Sequence, residues 1–114
     1  MAQTRKALNY DLDDLLLQQY YPNPKSYKYA WTKVKKFLYK NGFEDRQYSG
    51  VVSSKPMSNL TAQRIAKDLN DTFEWLAPCI QEFDVTSVLD TYSLKSTFIV
   101  KKGLKKNKKK LKQF

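Results

Sequence analysis

The chain has 114 residues, of which 41% are hydrophobic and 14% aromatic, enough for one packed core and too much for a disordered chain. It has no histidine and one cysteine, which excludes histidine-based catalytic triads, Cys/His zinc sites and an internal disulfide. The net charge of +10 is uneven: eight lysines fall in residues 101–114, which contain no acid, so the first hundred residues carry only +2. A lysine tail of this kind attracts polyanions without sequence preference, and nucleic acid is its expected partner. No apolar run approaches the roughly 20 residues of a membrane span, and the N-terminus lacks a signal peptide's apolar core. A reducing cytoplasm is the expected compartment, with Cys79 read as a small buried apolar residue.

The first element expected is a strand over residues 5–12. There Leu8, Tyr10 and Leu12 alternate with Ala7, Asn9 and Asp11, and three carboxylates (Asp11, Asp13, Asp14) crowd its end. Residues 13–21 favour a short lead-in helix, closed by Pro22 and Pro24. A first long helix is expected over 25–40, where Tyr27, Trp31, Val34 and Leu38 form an apolar stripe opposed by lysines and Gly42 suits the C-terminal cap. Phe43 to Gln47 and Gly50 to Ser54 read as two strands joined by a tight turn. Ser58 or Asn59 suits the N-cap of a second helix, with the stripe Ala62, Ile65, Leu69, Phe73, Leu76 and a stop at Pro78. A fourth strand is expected over 80–89 and a short fifth at 96–100.

Strand, helix, strand, strand, helix, strand is the order of the split βαβ, or ferredoxin-like, α+β arrangement. It predicts a domain at residues 5–100: a four-stranded antiparallel sheet with both helices on one face. Right-handed crossovers put the first strand between the fourth and the third, with the second outermost. Residues 101–114 are expected to be a flexible lysine-rich tail. In this topology the end of the first strand, the turn between the second and third, and the start of the fourth meet at one edge.

Asp11, the Gln47-Tyr48-Ser49 turn and Glu82 all fall at that edge. A carboxylate there serves either as a base on a ribose 2′-hydroxyl or as a ligand of Mg²⁺, since hard cations prefer oxygen donors. Ser49 is a donor for phosphate, and Arg46 a charge to neutralise one.

These segments resemble a known family. The strand LNYDL, the Gly42-Phe43-Glu44 step after a tyrosine-rich helix, the Gln47-Tyr48-Ser49 turn, the helix running toward Trp75 and an acidic fourth strand are together similar to the virulence-associated protein D (VapD) family. The likeness spans about residues 6–90. It implies a ferredoxin-like homodimer with endoribonuclease activity, related in fold to small CRISPR-associated nucleases whose strand-one aspartate binds metal. It also implies, for members that are toxins of toxin–antitoxin pairs, an antitoxin partner. Asp11 matches the family's strand-one aspartate, Ser49 the serine after the strand-two glutamine, and Glu82 the acidic residue near the start of strand four. The sequence departs from the family at Val51, where an aromatic is usual, at Tyr48, where a glycine precedes the serine, and in its lysine tail.

The catalytic set expected is therefore Asp11, Ser49 and Glu82, with Arg46, Gln47 and Tyr48 binding RNA and Asp11 the metal ligand where Mg²⁺ takes part. Two rival readings use the same fold: a non-catalytic nucleic-acid-binding module, and a dimeric partner-binding protein. The RNA-recognition-motif form of the first is disfavoured, because SGVVSSK in the third strand lacks that motif's aromatic core.

Overall fold

Alternation in the first strand is realised as β1 (Ala7–Leu12), the centre of a five-stranded antiparallel sheet ordered β2-β3-β1-β4-β5. The other strands are β2 (Phe43–Asp45), β3 (Val51–Ser53), β4 (Ile80–Thr86) and β5 (Thr91–Ser93). The computed structural model describes residues 3–46, 50–87 and 91–107. β1 runs between β3 and β4, with β2 outside β3, as the crossover argument predicts. β4 pairs with β1 along its whole length, from Ala7 opposite Thr86 to Leu12 opposite Ile80. β3 pairs with β1 only at Ala7 and Leu8.

Two long helices, α2 (Tyr29–Lys40) and α3 (Asn59–Thr72), cover one face of the sheet. Leu8, Phe83 and Val85 on that face are fully buried with Val34 and Leu38 of α2 and Leu69 of α3. Each such side chain contributes about 1.5–3 kcal/mol relative to an exposed one. α1 (Asp14–Tyr20) precedes them as two turns rather than a bare lead-in, because Asp13 Oδ1 accepts the Leu16 N–H at 3.1 Å and caps it. α2 starts four residues later than expected. Asn23 and Pro24 instead set a 3₁₀ turn at Pro24–Ser26, in which Asn23 Oδ1 takes the Lys25 N–H.

α3 is capped by Ser58, whose hydroxyl accepts the Thr61 N–H at 3.1 Å. It stops at Thr72, short of Pro78. Asn70, Asp71 and Thr72 are weak helix formers, and the extended backbone at Phe73 lets Phe73 and Trp75 enter the core from a loop. Trp75 meets Tyr21 edge-on at 4.8 Å.

The C-terminal third corrects the sequence reading. β4 ends at Thr86, and the fifth strand is Thr91–Ser93 instead of 96–100. Lys95–Thr97 forms a 3₁₀ turn that brings Phe98 onto Phe83 at 4.7 Å, so burial of that ring takes precedence over strand pairing. Residues 101–107 then pack on the domain. Lys101 Nζ donates to the Asn70 carbonyl at 2.9 Å, and the Asn107 side chain donates to the carbonyls of Gln18 and Tyr21 at 3.2 and 2.8 Å. The Asn107 backbone N–H reaches the Gln19 carbonyl, so one residue serves the open C-terminal end of α1. Among the described residues, no helix is long and apolar enough to cross a membrane.

Candidate functional site

Because β3 stops pairing at Leu8, β1 has a free edge from Asn9 onward on that side, among the described residues. A cleft of about 430 Å³ wraps around this edge, lined by Tyr10, Asp11, Trp31, Thr32, Lys35 and Gly50. Gly50 makes the closure possible. Its φ is +70°, and a Cβ there would fall within 3.0 Å of the Leu8 carbonyl oxygen and 3.3 Å from Asn9 Oδ1.

Tyr10 stacks against Trp31 at 6.3 Å and 30°, and against Phe83 at 5.8 Å and 23°, which makes a continuous aromatic wall from the core to the cleft. Trp31 Nε1 donates to Asp14 Oδ1 at 3.3 Å, which fixes the indole. Burial pushes the Tyr10 phenol above its ordinary pKa, with Lys35 acting the other way, so it is a neutral hydroxyl at pH 7.

Lys35 lies one turn beyond Trp31 and meets Asp45 Oδ1 at 3.1 Å. The same oxygen accepts the Tyr39 hydroxyl at 2.6 Å. The hydrogen bonds donated by Tyr39 and then by Lys35 hold Asp45 below the usual carboxylate range, and the hydrogen bond that Lys35 donates to Asp45 raises Lys35. The ammonium is therefore fixed as a cation beside the aromatic wall.

Of the three carboxylates at the end of β1, two are committed. Asp13 caps α1 through Oδ1 and accepts Gln81 Nε2 at 3.2 Å through Oδ2, while Asp14 holds Trp31. Asp11 is exposed, and among the described residues it has neither a hydrogen bond nor an ion pair. It is the carboxylate left for chemistry.

Glu82 is the cross-strand neighbour of Asp11, also exposed, but it does not line the cleft. Arg46 is exposed just after β2, with Nη1 at 3.5 Å from Asn9 Oδ1. Gln47, Tyr48 and Ser49 lie outside the described residues. Of the expected meeting, the register brings Asp11 and Glu82 directly opposite each other on β1 and β4, and Asp11 shares the cleft with Gly50, which follows the turn. Trp31 and Lys35, which the sequence reading assigned to a core stripe and its opposing charged face, line the cleft instead. Their signal was the Trp31-Lys35-Tyr39 ladder at i, i+4 and i+8, which places all three side chains along one side of α2.

Among the described residues, no group of three or more acidic or cysteine side chains is arranged to hold a metal ion. Among the described residues Asp11 and Glu82 supply two carboxylates, fewer oxygen donors than a hard cation takes. No family model matches the chain, and no curated protein is significantly similar to it.

Proposed function

We propose that the protein is an endoribonuclease with Asp11 as its catalytic base, built on the ferredoxin-like fold that the VapD resemblance implies. The observation that carries this is the cleft itself: an uncommitted carboxylate, an aromatic wall and a fixed ammonium line one concavity at the edge of β1. A base stacks on an aromatic face in a sequence-tolerant way, worth about 1–3 kcal/mol. Lys35 attracts the adjacent phosphate, and Arg46 adds a second cation after β2. The order β2-β3-β1-β4 with α2 and α3 on one face supports the fold assignment.

In this reading the Asp11 carboxylate takes the proton from a ribose 2′-hydroxyl. The freed oxygen attacks the neighbouring phosphorus, and the bond to the 5′ oxygen breaks. That oxygen takes a proton from water, and the hydroxide so formed takes the proton back from Asp11, leaving a 2′,3′-cyclic phosphate and a 5′-hydroxyl. Ser49, directly before Gly50 in sequence, is a further phosphate donor in the proposal.

The test is cleavage of a mixed-sequence RNA by the protein and by Asp11→Asn, each with Mg²⁺ and with EDTA. A loss of at least about a hundredfold in the variant is expected, in line with removal of a general base. Retention of cyclic-phosphate products in EDTA supports the 2′-hydroxyl route, and EDTA-sensitive cleavage assigns Asp11 to a metal instead. Equal rates for both proteins refute the proposal. RNA binding without cleavage favours the binding-module reading.

A further inference from the structure

A second concavity, of about 810 Å³, shares no residue with the cleft and runs between α3 and the segment that follows Lys95–Thr97. Its apolar lining comes from Leu60 on α3 and from Ile99 and Val100, which are 56%, 68% and 49% exposed. A single exposed aliphatic residue on a surface needs no explanation. Three lining one groove place apolar surface on both of its walls in contact with water. The second wall is pinned in place, because Lys101 Nζ donates to the Asn70 carbonyl across the groove at 2.9 Å.

The rim is cationic. Arg64 and Lys67 line it from α3, and Lys101 and Lys102 from the other wall, against Asp71, the one acid among the described lining residues. None of the described lining residues is aromatic. That separates this groove from a single-stranded nucleic-acid site, which needs ring faces for the bases as well as charge for the phosphates. Residues 108–114 carry Lys108, Lys109, Lys110 and Lys112 and no acid, so they do not supply the acidic complement of this rim. An aliphatic floor between cationic rims complements one kind of ligand, a segment with apolar anchors flanked by carboxylates.

We infer that this groove docks an acidic, amphipathic segment of a partner protein, with aliphatic anchors on Leu60, Ile99 and Val100 and carboxylates on Arg64, Lys67, Lys101 and Lys102. The probe is a fluorescein-labelled synthetic peptide with leucines at helical i, i+4 spacing and glutamates elsewhere, titrated into the full chain and followed by anisotropy. Because the lysine-rich end also attracts acid, the deciding comparison is the double variant Leu60→Ser/Ile99→Ser. Both side chains are exposed, so the fold is expected to survive, and far-UV circular dichroism checks that. Saturable binding that weakens about tenfold or more in the variant supports the inference. So does failure of polyglutamate to compete at equal charge. Absence of saturable binding overturns it, as does equal affinity in parent and variant. Displacement of the peptide by oligouridylate, with the same sensitivity to the double variant, overturns it in favour of nucleic acid.

Discussion

Replacing Gly50 by alanine tests whether its close approach to β1 builds the cleft. Two costs add there. The left-handed backbone, φ +70°, costs an L-residue about 1–2 kcal/mol, partly offset by about 0.4–1 kcal/mol from a stiffer unfolded chain. The new Cβ would also fall within 3.0 Å of the Leu8 carbonyl oxygen, a backbone atom that cannot swing aside. Among the described residues, β1 pairs with β3 at Ala7 and Leu8, so relieving the overlap disturbs the described β1–β3 pairing. Overpacking of this type costs about 1–3 kcal/mol more, giving about 2–4 kcal/mol in all. Gly42→Ala is the internal control: its φ is +90°, but nothing lies within 4 Å of the added Cβ, so only about 1 kcal/mol is lost. In urea denaturation with a slope of about 2 kcal/mol per molar, the midpoint should fall by about 1–2 M for Gly50→Ala and by about 0.5 M for Gly42→Ala. Equal losses in the two variants would refute the close approach and leave only backbone strain.

Three other outcomes follow from single contacts. Burial pushes the Cys79 thiol up to about 12 from an ordinary 9.0, so the folded state keeps a proton that the unfolded chain releases. Its stabilising effect is complete below pH 9 and is lost as pH rises toward 12, by up to about 1.4 kcal/mol per pH unit. Urea midpoints of the parent should drop more steeply over that range than those of Cys79→Ala. Tyr39→Phe removes the leading cause of the lowered Asp45 pKa, and a carboxyl NMR titration should show it rising toward the ordinary range; an unchanged midpoint would contradict the hydrogen bond. Asn107→Ala leaves carbonyls at the end of α1 without their donors, at a cost of about 1–2 kcal/mol in urea midpoint analysis.

What the sequence made legible was whatever a local period or cap determines. Period-two alternation located β1, the aliphatic spacing located α2 and α3, and Ser58 marked the start of the latter. Strand order followed from handedness once the elements were in place. The errors arose where tertiary burial outweighed local pattern. Phe73 and Leu76 continue the helical stripe of α3 but reach the core from a loop, and STFIV at 96–100 reads as a strand but turns to bury Phe98. The site was half legible. Asp11 stands out as a carboxylate at a strand end, but nothing local tells that Asp13 and Asp14 are already used. Trp31 resembles any other core aromatic until the shortness of β3 is known.

That division of labour among three neighbouring acids is what gives the cleft its form. Asp13 ties the start of α1 to Gln81 of β4, so the chain leaves β1 in a fixed direction. Asp14, on the next residue, then meets the Trp31 indole and orients it against Tyr10. Asp11 is left without a hydrogen bond or ion pair among the described residues, in the cleft that the ring pair also lines. Positioning of the aromatic wall and freedom of the carboxylate therefore depend on different residues of one short run, DLDD. Removing Asp14 should loosen Trp31 while sparing Asp11, and removing Asp11 should leave the indole where it is.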